Sequence, residues 1–501
     1  MANDGRRGWP VSCSYTEARA AEAGQFIILV NTAPDAVGTA ASGPVSWSPS
    51  CSSSSPAAPL ADERLRLVAS FDLFTRHNSF TGKRATCGDE VRGLAGLHGG
   101  ESAHLWHAML ALGAVYDARP GSEATDVTRR ARLVVALRHY AQAISGLRAA
   151  IDGWSCGSRA GRRRAPKQQQ QQTAILWTTL FLGLFELMND ASGDGWVQHM
   201  VHGTGEALRA SGPGACARGP GRAFFVQARV FETCRTILFN EPTFLTEAAW
   251  AALARDMWTR TADDDDTAGD GAADEWHPLD SLLDIMVMCS QLRVRAGNLI
   301  AMPEQTRNAT EGRDIYDDGC RLREALQYWH NAYALDDEPL ELGVVDGAAN
   351  TTTTTTTITT TTSKLLARVF YAATSVYLSG VFDYSAAQWA RLLNDESAPA
   401  AATLPRDVVD AHVETVLRLA GAALECPERH GWLSPLLFLF PLRIAGARST
   451  DDGHEDQDRR QWRRRRIVEL LGRIRRRGGF VVADAVDGEL RRFVWRNDLV
   501  E

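Results

Sequence analysis

The run TAILWTTLFLGLFELMND, Thr173 to Asp190, is apolar on nearly every side of the helix its length implies. Such a helix has no face to turn toward water. Other elements must enclose it, so the chain has to build layers around this segment. The residues that follow supply some of them. Trp196, Val197, Met200, Val201, Thr204 and Leu208 share one helical face, with Asp194 placed to cap its start and Gly212 and Pro213 ending it. The next piece, GRAFFVQARVFETCRTILFNEP, sets Phe224, Ala228, Phe231 and Leu238 on one stripe and stops at Pro242, which has no amide proton to donate. A fourth helix carrying Ala249, Trp250 and Leu253 begins near Thr246. Short Gly/Pro/Asp links between these pieces predict a compact antiparallel helical unit.

The rest of the chain repeats the 3.6-residue period. Residues 1–60 are rich in Ser, Ala, Gly and Pro without any sustained period and predict a disordered lead. The folded part opens at ADERLRLVASFDLFTRHN. Helices are predicted over SAHLWHAMLALGAVYDARP and DVTRRARLVVALRHYAQAISGLRAAIDGW, with Asp126 placed to cap the second. Beyond Trp250 the same pattern returns in HPLDSLLDIMVMCSQLRVRAGNLI, GCRLREALQYWHNAY, KLLARVFYAATSVYLSGVF, DVVDAHVETVLRLAGAALE, SPLLFLFPLRIAGAR and QWRRRRIVELLGRIRRRG. Pro441 is expected to kink or break the fifth of these. Biased stretches at about 155–172 (a glutamine run), 260–275 (acidic), 345–363 (a threonine tract) and 449–460 read as loop inserts. FVVADAV near Val481 is the best strand candidate, and it is weak. The fold class is therefore all-α, a large domain of packed antiparallel helices over residues 62–496.

Composition narrows the function classes. With 45% hydrophobic and 23% charged residues the chain can bury a large core, and a net charge of -7 is not that of a strongly basic nucleic-acid binder. Nine cysteines stand apart, the closest pair being Cys216 and Cys234, and no CxxC occurs. Neither a thiolate zinc site nor a dithiol redox motif is encoded, which suits a reducing compartment with cysteine as a small buried hydrophobe. The early apolar run Phe26–Val30 is shorter than the ~7–15 residues of a signal peptide's core. Thr173–Met188, read as the longest apolar stretch, falls short of the ~20 residues of a bilayer span.

Chemical motifs are sparse. Gly153, Ser155 and Gly157 satisfy GxSxG, but a nucleophile elbow needs a strand entering and a helix leaving, and here a helix enters. His104 and His107 sit three apart on a helix without the glutamate and second spacing of HExxH, so structural or surface roles are favoured. Glu186 is the lone ionisable group of the apolar helix, and a paired structural carboxylate is favoured over a perturbed catalytic acid. Phosphate-binding glycine loops are absent. Catalytic residues, cofactors and metals are accordingly not expected. Arg162, Arg163, Arg164 and Lys167 form a basic cluster in a loop, the kind of patch a nuclear-import receptor reads. Arg463–Arg466 and Arg475–Arg477 flank Ile467, Leu470, Leu471 and Ile474, which favours the wet face of an amphipathic helix over a phosphate-binding strip.

In their order, HLWHAMLALGAVYDA, ALRHYAQAISGLRAAI, TTLFLGLFELMNDASGDGWVQHMVHGTGEALRASGP and FFVQARVFETCRTILFNEPTFLTEAAW resemble the fungal-specific transcription factor domain. HPLDSLLDIM and SPLLFLFPLRIAGAR resemble later parts of it, so the likeness covers roughly residues 62–496. The resemblance implies an all-helical regulatory or effector-sensing region of a nuclear activator or repressor. Its partners would be transcription machinery or co-regulator proteins, with homo-oligomerisation open and no membrane. The six-cysteine zinc cluster that precedes such domains is missing, since Cys13 and Cys51 stand alone, so its DNA contact carries over to no residue here. Two readings of that departure stay open: a stand-alone regulatory domain, or a reading frame that begins upstream. A rival from another class is a helical scaffold unrelated to transcription.

Overall fold

The computed structural model describes residues 57–81, 88–96, 102–122, 124–157, 165–192, 199–259, 278–333, 351–430, 432–449 and 457–491. Every residue from Thr173 to Phe185 is buried. The helices are α1 (Ala57–His77), α2 (Gly88–Gly96), α3 (Ala103–Asp117), α4 (Asp126–Gly157), α5 (Ala165–Asn189), α6 (Glu206–Ser211), α7 (Gly219–Phe239), α8 (Ala248–Thr259), α9 (Pro278–Ala301), α10 (Ala309–Tyr333), α11 (Thr351–Asp383), α12 (Ala386–Leu393), α13 (Ala398–Ala402), α14 (Arg406–Glu425), α15 (Leu439–Arg448), α16 (Gln457–Arg473) and α17 (Ala483–Glu489). Among the described residues there is no strand, only an isolated parallel bridge between Ser79 and Leu433. The all-α expectation holds.

The apolar run is the core of α5, enclosed by α2, α3, α4, α7 and a π-helical segment, His199–Gly205. Trp177 meets the Phe224 ring edge-on at 5.3 Å, and Phe181 meets Phe71 in the same way at 5.3 Å. The hydroxyls of Thr178 and Thr179 donate to the carbonyls of Ala174 (2.7 Å) and Leu176 (2.8 Å), so this helix satisfies its own polar side chains without a face toward water. A second group, α9, α10, α14 and α15, packs around α11, with α16 against α14 and α15, and α7 joins the two groups by touching α5, α9 and α15. Thr362–Asp383, within α11, is long and apolar enough to cross a bilayer, and 94% of its most apolar window is buried against other helices. This second enclosed helix is longer than Thr173–Met188, so the run that looks longest by sequence is not the longest apolar segment.

Several local expectations change. The glutamine run, read as loop, forms the first turns of α5, and the threonine tract opens α11. Gln is a good helix former, and Thr costs only about 0.5 kcal/mol per residue relative to Ala, so a buried helix propagates outward through either tract once nucleated. FVVADAV is a turn running into α17, not a strand. Asp126 is the first helical residue of α4 and pairs with Arg129. The Thr125 hydroxyl takes the capping role, accepting the Thr128 amide at 3.3 Å. Helix α7 stops before Pro242, at Asn240, whose left-handed backbone (φ 53°) closes it. Pro441 falls in the first turn of α15 after a 3-10 turn over Pro435–Phe438, where a missing amide is not needed. Of the remaining inserts, 260–277 and 450–456 lie outside the described residues, as do residues 1–56 of the N-terminal lead.

The two halves are sewn together far from each other in sequence. Ser79 donates its amide to Trp432 (2.9 Å), and its carbonyl accepts from the Ser434 amide (2.8 Å). The Ser434 hydroxyl bonds the Asn78 side chain at 2.9 Å. Trp432 holds a left-handed backbone (φ 54°), unusual for a bulky residue, and its ring stacks on His77 with centroids 4.0 Å apart. Near the other end, the Val482 amide reaches the Leu187 carbonyl of α5 at 3.2 Å. Helix α5 is thus held from both ends of the described chain.

Candidate functional site

Because α5 is apolar all round, the polar groups at its C-terminal end are conspicuous. Glu186 is not isolated. Tyr140 of α4 donates its hydroxyl to Glu186 Oε1, and the same hydroxyl lies 2.9 Å from His199 Nε2 at the start of the π segment. The Tyr140 ring stacks on Phe185 at 4.5 Å. Burial raises the Glu186 carboxyl above its usual range, with the Tyr140 hydrogen bond opposing that rise. Burial also drives the His199 imidazole down to about 4. A neutral His199 donating from Nε2 to Tyr140, which donates to Glu186, satisfies all three groups. This is the paired structural carboxylate favoured from the sequence.

At the C-terminal end of α7 lies a denser polar knot. Arg235, 3% exposed, grips Glu232, 6% exposed, through two parallel hydrogen bonds of 2.9 and 2.8 Å, and also holds Glu241 (2.6 Å) and the Pro242 carbonyl (2.9 Å). Burial works against the Arg235 charge, but Glu232 and Glu241 outweigh it and hold the guanidinium above its ordinary value. The Thr236 hydroxyl meets that of Ser290 on α9 at 2.6 Å, and Tyr377 of α11 donates to Asn240 at 2.8 Å. The last turn of α7 is therefore bonded to α9, and the FNEP turn to α11. A helical period alone does not show that Glu232 and Arg235, three apart, face inward together.

Two small cavities border α5. One of about 20 Å³ is apolar, lined by Leu187, Phe231, Cys234, Leu238, Leu437 and Phe440 among others. The second, about 10 Å³, lies between α1 and α5 beside Asn78, Trp177, Phe181 and Gln227. Both are far below the roughly 300–1,000 Å³ of a pocket that takes a small organic ligand. Burial pushes the Cys216 thiol up to about 12 and the Cys234 thiol higher still, so neither is a nucleophile.

The fold disperses the other sequence candidates. Gly153, Ser155 and Gly157 are in the last turns of α4, a helical backbone that cannot form a nucleophile elbow. Arg162, Arg163 and Arg164 lie outside the described residues. Lys167 is in the first turn of α5, and its side chain is likewise outside them. Arg463 departs from the expected wet face: it is fully buried on α16, bonding Asp410 at 2.9 Å and Glu414 at 3.2 Å across to α14. Arg466 holds Glu425 at 2.7 Å, and Arg477 donates to the Leu424 and Glu425 carbonyls. These arginines clip helices together. His104 does not pair with His107. It is buried and brought down to about 4 by burial, while His107 turns to His139 on α4.

The buried histidines set a pH dependence. An unfolded imidazole takes a proton near pH 6.5 and folded His104 and His199 only near 4, so acid favours the unfolded chain in that window. Every tenfold loss of proton affinity on folding corresponds to about 1.4 kcal/mol, so the two histidines together should remove on the order of 5 kcal/mol of stability as pH falls from 6.5 to 4. Glu186 has the opposite sign, because its raised carboxyl takes a proton more readily when folded. Denaturant titrations at stepped pH should show the loss in wild type, and His104→Leu should flatten it by roughly half.

Among known proteins, the family model described as the fungal specific transcription factor domain matches residues 94–495. An uncharacterized protein of Emericella nidulans, AN5342, is 28% identical over 97 residues, covering 19% of this chain and 21% of that protein. No solved structure matches the chain.

Proposed function

The chain belongs to the fungal-specific transcription factor domain family, and from that premise we propose that it is a nuclear regulator of transcription acting through protein contacts. The observation that carries this reading is the family match, which runs from within α2 to beyond α17. No catalytic step is assigned, and no DNA contact is assigned to any of these 501 residues, whose cysteines include no CxxC. Contact with co-regulator or transcription-machinery proteins is favoured by an exposed apolar stripe. Helix α4 turns Val127 (79% exposed), Val134 (57%) and Leu137 (42%) outward along one side.

Tethered to a heterologous DNA-binding domain, residues 57–501 should change reporter output several-fold. A fluorescent fusion of the full chain should collect in the nucleus and lose that bias when Arg162, Arg163, Arg164 and Lys167 are all replaced by Ala. A fusion that stays cytoplasmic in every growth condition, with no reporter effect, would leave the helical-scaffold reading in its place.

A further inference from the structure

Helices α3 and α4 run antiparallel and approach closely where Gly146 faces His104. A Cβ on Gly146 would stand 3.1 Å from the His104 Cβ. One turn further along α3 and two turns back along α4, that close approach brings two histidines together. His107 Nδ1 and His139 Nδ1 are 3.0 Å apart, with their rings at 24° to each other and centroids 5.3 Å apart. Both rings are only partly buried, so the pair is open to solution on one side. The sequence spacing singles out His104 and His107, but the fold separates their roles and selects His139 as the partner.

We propose that His107 and His139 form a two-imidazole site for a divalent transition-metal ion of the zinc, nickel or copper class, clamping α3 to α4. Tetrahedral metal–imidazole bonds of about 2.0–2.1 Å place two ligating nitrogens about 3.3 Å apart. In the present hydrogen bond the two nitrogens face each other at 3.0 Å, and each ring must turn about 35° off the N···N line for both lone pairs to converge on one tetrahedral ion. Neutral imidazole is the ligating form. Burial, reinforced by Arg64 at His107 and by the neighbouring imidazole at His139, favours the neutral rings. Gln142, three residues further along α4, is a side-chain hydrogen-bond partner of His139. The charged groups facing the pair are Arg64 and Glu63 from α1 and Arg138 from α4, so the carboxylate offsets part of the cationic field. Among the described residues no third histidine, cysteine or carboxylate completes a cage, so solvent fills the remaining positions. Nitrogen ligands with open positions select zinc, nickel or copper and reject magnesium and calcium, which require oxygen donors.

The test is a thermal melt of the full chain at pH 7.5 with zinc chloride, and with magnesium chloride as control. At about 100 times its dissociation constant, zinc should raise the midpoint by about 3 °C, and magnesium should not. In competition with a metal-sensitive dye, His139→Gln and His107→Gln should each weaken zinc binding about tenfold or more. Both replacements are at part-exposed positions, so the circular dichroism of each variant should match that of wild type. No zinc-dependent shift in wild type would overturn the proposal and leave a neutral histidine–histidine hydrogen bond. A shift of the same size in the His107→Gln/His139→Gln double variant would overturn it equally.

Discussion

Replacing Gly113 with alanine should destabilise the protein by about 3 kcal/mol, although alanine is the better helix former by nearly 1 kcal/mol. Gly113 sits in the C-terminal half of α3, where α1 crosses it. A Cβ there would lie 2.3 Å from the Leu67 carbonyl oxygen and 3.0 Å from the Phe71 amide nitrogen. Both are backbone atoms of a helix, so no side-chain rotation relieves the overlap and α1 must move as a body. Leu67, Phe71 and Phe74, all buried, would move with it. Phe71 would lose its edge-on packing against Phe181 of α5, and Phe74 its packing against Tyr116 at 5.4 Å. Gly297 is the matched control. It lies inside α9 with no atom within 4 Å of an added Cβ, so Gly297→Ala should stabilise by about 0.5–1 kcal/mol. Denaturant midpoints of the two variants measured side by side decide the matter. A Gly113→Ala midpoint at or above wild type would show that α1 does not cross α3 as closely as described.

The contrast between those glycines marks what a sequence can and cannot display. Both occur within helical pattern, and only the crossing of α1 over α3 distinguishes them. The enclosure of α5 was legible because a helix apolar all round has one physical outcome. The identity of the enclosing helices was not. The same limit applies to the polar groups. Glu186 in an apolar run announced that it must be paired, yet its partners Tyr140 and His199 come from segments 46 residues before it and 13 after it, respectively, which no helical period relates. Arg463 looked like its neighbours in RRRR and is buried because α14 offers Asp410 and Glu414 on that one face. The glutamine and threonine tracts misled in the opposite direction: low complexity suggested loop, whereas adjacency to strongly nucleated helices decided their backbone.

Arg235→Ala should have the largest effect of any single polar substitution, a loss of about 3–5 kcal/mol, because it strands the buried Glu232 carboxylate without its bidentate partner. The energy lies in the uncompensated charge more than in the bond, and this makes a sharper test possible. Replacing both partners, Glu232→Leu with Arg235→Met, removes both charges and fills the space with apolar atoms, so the double variant should recover to within about 1.5 kcal/mol of wild type. What it does not recover is the hold on Glu241 and the Pro242 carbonyl, which lie toward solvent and matter less. Arg473→Ala, whose partner Glu469 is exposed, should cost no more than about 1 kcal/mol. The same variants separate two roles for the end of α7 and its FNEP turn, which reach α9 and α11 through the Thr236–Ser290 and Asn240–Tyr377 bonds. If the ion pair serves only to hold that turn, reporter output of the tethered fusion should fall for Arg235→Ala in step with its folded fraction and return in the double variant. A double variant that is stable but silent would instead assign the charges themselves to the regulatory contact.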